Sequence, residues 1–421
     1  MVSATLARVT LLARFDRAHG GLAADAALYG LAALFALLTA LTSTLLPHRA
    51  WGAIAAWAYL GAFLVVVGQL VLRRPAGRLP LTWVAWAGTA LLPLIVEAVQ
   101  RSAGQAGRAQ EEVLVVEHMG ERLAGSGTPY LGPEAIAALP PGEQLLGYAP
   151  YQPGMAVFGL PRAAFGDVWW TDSRVWFAVA TVAALAAAVR LVPPGGPLVR
   201  AVQFATVLPI CALTLATGGD DLPVLALGLL ALACCAGGRY GAAGLAVGAA
   251  AALKLFALPI LVVLAVLALT TGHGRRFLPG ALGLPVLALL PALVDADAFV
   301  ENVIRFPLGH GIVTSPAQSP FPGYLIAQAV PGGRYVAAGL LVAVALAIAV
   351  VLVRRPPRTA AAAALFCGYG LLAAILLMPT TRFGYLLYPL ALLLWAPALN
   401  AVLSRRTATT APRGDTALYR L

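Results

Sequence analysis

A chain of 421 residues has the length for two or three soluble domains, but 61% of this one is hydrophobic and only 11% carries charge. Its mean hydropathy of +0.86 comes from repeated apolar runs of roughly 17 to 22 residues, the length a helix needs to cross a bilayer, and this excludes an ordinary soluble domain. The net charge of +11 does not mark a nucleic-acid binder, because the basic residues fall in short clusters between the apolar runs.

In lipid every backbone amide must be satisfied within its own element, so such runs have to be helices. The chain reads as an all-α polytopic membrane protein, a helical bundle of about eleven or twelve transmembrane helices. Residues 1–26 form a cytoplasmic segment without a cleavable signal peptide. Spans follow at 27–47, 51–72, 81–99, 174–192, 198–217, 222–237, 240–254, 255–271, 277–294, 334–353, 359–379 and 384–403. The basic loops at 73–78, 190–200, 237–241, 272–276 and 354–358 then share one side with both termini, as the cytoplasmic side requires. Two long outer loops remain, at 100–173 and 295–333, within a transmembrane domain of 27–403; a polar tail without periodicity, 404–421, reads as disordered. The four cysteines, Cys211, Cys234, Cys235 and Cys367, all fall in apolar runs, which excludes loop disulfides.

Chemistry-bearing residues gather on the outer side. In the first outer loop "EEVLVVEHMGERLAGSGTPYL" opens with Glu111 and Glu112 and continues through His118 to Tyr130. Leu114, Val115, Met119 and Leu123 recur at helical spacing while Glu117, Glu121 and Arg122 lie mainly elsewhere, so the spacing predicts a helix along the membrane surface. A carboxylate beside a low-dielectric boundary can be tuned as a general base, although acids at a helix start also simply complement its dipole. "TGGDDLPV" puts Asp220 and Asp221 at an outer turn. Lys254, the only lysine in the chain, sits in "ALKLFALP" ahead of Pro259, which predicts two short or re-entrant helices meeting at the lysine. Arg305 and His310 lie in the second outer loop and Arg382 lies between the last two spans. Arg305, Arg382 and Lys254 are therefore candidates to converge on one anion, a role that guanidinium suits for phosphate.

The order of these motifs resembles the GT-C membrane glycosyltransferases. The carrying stretches are "EEVLVVEHMGERLAGSGTPY", "YQPGMAVFGLP" before "DSR", the "GGDD" turn, "ALKLFALP" and "RFGYLLYP", spanning about residues 81 to 403. Within that superfamily the chain looks most like glycosyltransferase family 87, which includes polyprenyl-phosphate-mannose-dependent mannosyltransferases. It departs from the family pattern in having glutamates where an aspartate is usual, and in two extra spans before them.

The resemblance implies inverting transfer of a sugar, mannose in the nearest case, from a polyprenyl-phosphate donor to a lipid or glycan acceptor at the outer face. Glu112 or Glu111 would be the base. Asp220, Asp221, Lys254, Arg305, His310, Arg382, His118 and Tyr130 would bind substrate, and no metal or other cofactor is expected. A multispan secondary transporter or lipid flippase is the competing reading. Against it stand the absence of an internal repeat and the collection of acids on one face rather than at mid-membrane.

Overall fold

The computed structural model describes residues 18–74 and 77–410, the last five by their backbone alone. Every regular element among the described residues is helical, and the one β-type contact is an isolated parallel bridge between Gln318 and Thr381.

Three long helices come first, α1 (Leu22–Thr42), α2 (Leu46–Val71) and α3 (Arg78–Ser102). Helix α4 (Glu111–Ser126), in the first long loop, leads through short turns to α5 (Ser173–Arg190). Next, α6 (Gly196–Ala205) and α7 (Pro209–Thr217) make one apolar run bent by 41°. Four shorter helices follow, α8 (Asp221–Ala236), α9 (Tyr240–Leu253), α10 (Leu258–Thr270) and α11 (Gly274–Ala288). Long helices close the chain: α12 (Gly333–Arg354), α13 (Ala360–Leu377) and α14 (Leu387–Thr410).

Helices thus stand at all twelve places expected from hydropathy, but seven are long and apolar enough to span alone, eight with the bent pair taken as one. The four from α8 to α11 have 13 to 16 residues, or about 20–24 Å at 1.5 Å per residue, short of the ~30 Å hydrocarbon core. Hydropathy registers an apolar run and not where its helix stops. Two boundaries differ as well: α1 starts at Leu22, before residue 27, and α14 continues to Thr410, past residue 403. The rest of the expected tail, 411–421, and residues 1–17 lie outside the described residues.

Prolines set the irregularities, and side chains repair them. Pro93 has no N–H to donate to the carbonyl of Thr89, and α3 passes through a π-helical turn at Ala87–Leu91. The buried Trp51 indole fills the gap, donating to that carbonyl at 2.7 Å. Pro209 starts α7 after the bend, where the Val207 carbonyl accepts from the Tyr59 hydroxyl at 2.7 Å. In a bilayer an unmet carbonyl would cost several kcal/mol, so these two bonds permit the bends. At the centre, α8 is buried along nearly its whole length against α5, α9, α13 and α14.

Candidate active site

The first long loop places its acids through α4. This helix begins at Glu111, as the spacing predicts, and Gln110 just before it acts as a clamp. The Gln110 N–H donates to the Thr217 carbonyl and the Thr217 hydroxyl donates to Gln110 Oε1, each at 2.9 Å. Gln110 Nε2 lies 2.9 Å from His48 Nε2. The start of α4 is thereby tied to the end of α7 and the start of α2. From that fixed point Glu112 pairs with Arg382. The backbone around Arg382 is held by the second long loop, with the Thr381 N–H on the Ala317 carbonyl at 3.0 Å and the Phe383 N–H on Ser319 Oγ at 2.9 Å.

Lys254 lies behind this pair. Its residue is extended (φ −152°, ψ 142°) at the break between α9 and the turn Leu255–Ala257, where the lysine and Pro259 predict a junction. The ammonium is buried and donates to Asp220 Oδ2 at 2.8 Å and to Asp221 Oδ1 at 2.5 Å. The Tyr388 hydroxyl donates to the same Asp221 oxygen at 2.7 Å, and the rings of Tyr151 and Tyr385 stand 5.2 and 5.7 Å from the Lys254 nitrogen. Gly219 makes the turn with φ +90° while the Phe177 ring sits 2.8 Å from where a Cβ would stand, so both conformation and space call for glycine. Burial first, and the Asp220 charge second, push the Tyr151 phenol well above its ordinary range and keep it protonated.

A second charged network fastens α4 to the end of α3 and the start of α5. Glu117 is buried, not on the polar side as its spacing predicts, and accepts from both terminal nitrogens of Arg101 at 2.5 and 2.7 Å and pairs with Arg162 at 3.2 Å. Asp172 joins it, accepting from Arg101 at 3.0 Å and from Arg174 at 2.8 and 2.9 Å. Burial alone would raise the Asp172 carboxyl, but the Arg174 and Arg101 guanidiniums outweigh it and hold it at about 2. Only the "DSR" spelling hinted at this network, because its other members come from distant segments.

The remaining candidates scatter. Glu111 is exposed and Glu112 half-buried, so the two differ in the contact each can make. Arg305 is 62% exposed and faces Glu301 at 3.6 Å, while Lys254 is held by two carboxylates beside the Tyr385 ring. His310 is exposed in the second loop. His118 lies further along α4, its basicity lowered by burial and then by Arg122, and Tyr130 donates to the Tyr151 carbonyl at 2.7 Å. Tyr130 thus supports the wall behind Lys254. Among the described residues no three His, Cys, Asp or Glu side chains are grouped to hold a metal ion.

The mouth therefore offers one half-open carboxylate paired with one half-open guanidinium, over a buried lysine–diaspartate cluster lined by tyrosines. Such a pair can accept a proton and hold an anion at the same point. A family model described as glycosyltransferase family 87 matches residues 148–379 of the chain. That stretch holds Asp220, Asp221 and Lys254, while Glu112 and Arg382 flank it on either side. No curated protein and no solved structure matches the chain.

Proposed function

The chain belongs to glycosyltransferase family 87, and from that premise we propose that it transfers a sugar, mannose in the simplest case, from a polyprenyl phosphate to a lipid or glycan acceptor. Transfer takes place at the outer face of the cell membrane with inversion, and Glu112 is the base. The observation that carries this reading is the contact between Glu112 and Arg382 at the partly open mouth of the site. A phosphodiester donor becomes a phosphate with one more negative charge as its bond to the sugar breaks. A guanidinium beside that oxygen favours the charged state, and a carboxylate beside the acceptor hydroxyl takes its proton. The exposed Glu111, one residue away, has no such partner among the described residues and serves the helix start.

The experiment is a transfer assay with purified protein, radiolabelled polyprenyl-phosphate-mannose and a membrane lipid extract. Wild type and Glu111→Gln should move label to a new product, and Glu112→Gln should lose about 10²–10⁴-fold in rate, the usual worth of a general base. Full transfer by Glu112→Gln would remove Glu112 from that role.

A further inference from the structure

Resting on that reading of Glu112 and Arg382, we propose that their ion pair is an exchange switch. The phosphate of the arriving donor takes the guanidinium from the carboxylate, and only then can Glu112 receive the acceptor's proton. Binding is thereby ordered, donor before acceptor.

The geometry of the pair carries the argument. Its cation is the more open half, 35% exposed at the Arg382 side chain against 15% at Glu112, so a ligand entering the mouth meets the guanidinium first. Glu112 is the one hydrogen-bonding partner of the Arg382 side chain among the described residues, through a single nitrogen. Further N–H groups are left for a two-pronged grip on phosphate. Both backbones are fixed, Glu112 through the Gln110–Thr217 clamp and Arg382 through Ala317 and Ser319, so exchange needs side-chain rotation alone. Lys254 cannot take Arg382's part, because Asp220 and Asp221 already hold it.

Chemistry closes the cycle. While paired, Glu112 Oε1 is engaged by the guanidinium and is not free to meet the acceptor hydroxyl. Once phosphate holds Arg382, the acceptor oxygen bonds to the sugar's anomeric carbon. The carbon–phosphate-oxygen bond breaks with its electrons going to phosphate, and the acceptor's proton passes to Glu112. Neutral Glu112 no longer competes for the guanidinium, which stays with the now more highly charged phosphate. Loss of the proton to water restores the carboxylate, which re-pairs with Arg382 and displaces the product phosphate.

Competition makes a prediction whose sign a fixed brace would not share: removing the carboxylate tightens phosphate binding. The test titrates farnesyl phosphate into purified wild type, Glu112→Gln, Glu111→Gln, Arg382→Gln and the Glu112→Gln/Arg382→Gln double variant by calorimetry. If pairing occupies Arg382 about nine-tenths of the time, Glu112→Gln should bind about tenfold tighter than wild type. Arg382→Gln should bind more weakly, and adding Glu112→Gln to it should restore nothing. Unchanged or weaker binding by Glu112→Gln overturns the switch. An equal gain from Glu111→Gln also overturns it, since the effect would then be the general field of one negative charge. Absence of binding by all five proteins would fell the phosphate-donor reading itself, and the switch with it.

Discussion

At Lys254 the chain sets a buried ammonium against two buried carboxylates, a tyrosine hydroxyl on one of them and two aromatic rings, of which Tyr151 is buried and Tyr385 half-buried. Sequence alone singles this residue out as a charge with a dedicated partner, and the Asp220–Asp221 turn supplies one. That geometry separates two kinds of cation in the site. Removing Lys254 strands two carboxylates in a buried place, and breaking a buried pair typically costs about 3–5 kcal/mol. Lys254→Met should therefore lower the thermal unfolding temperature in detergent and take transfer activity with it. Arg382→Gln, at a partly open position, should leave the unfolding temperature close to wild type while raising KM for the donor. Equal unfolding temperatures for Lys254→Met and wild type would remove the structural role argued for the cluster.

For the element that carries the proposed base, what matters is how firmly α4 is held. It approaches a neighbouring backbone closely at Gly120, where an added Cβ would stand 2.2 Å from the Gly159 carbonyl carbon. Gly125, on the same helix, faces open space. Gly120→Ala should then force the helix away from its support, costing about 1–3 kcal/mol as overpacking does. It should also lower the transfer rate by displacing Glu112. Gly125→Ala should stabilise by about 0.5–1 kcal/mol through helix propensity and leave transfer intact. Denaturation and transfer measured on both variants check this, and a harmless Gly120→Ala would mean that α4 is not braced there. The start of α4 and the junction at Lys254 were legible because glutamates, glycines and Pro259 act locally on the backbone. The grip of Glu117 on Arg101 and Arg162 was not, for its partners lie 16 and 45 residues away along the chain and spacing registers only the helix they leave.

Taken whole, the molecule has two charged ends. Contacts tie Glu112 to Arg382 and Lys254 to Asp220 and Asp221 at one end. At the other, Asp25 on α1 binds Arg78 at the start of α3 at 2.6 Å and Arg200 on α6 at 3.1 Å. Helix positions and the helical class were readable from hydropathy, since lipid permits little else. Pairings across the bundle were not, because many apolar helices of similar composition can neighbour one another in many ways. The alternation of arginine-rich turns with acid-rich loops predicts which end faces the cytoplasm. The four native cysteines are all buried, which leaves little background for thiol labelling. Single cysteines replacing the exposed Glu134 and Asp297, in the two long loops, should react with a membrane-impermeant maleimide in intact cells. Cysteines replacing the exposed Arg275 and Arg355, in the basic turns, should react only after the membrane is permeabilised. The reverse pattern would put the Glu112–Arg382 mouth on the cytoplasmic face, where nucleotide sugars are at hand, and would take away the reason for a polyprenyl-phosphate donor.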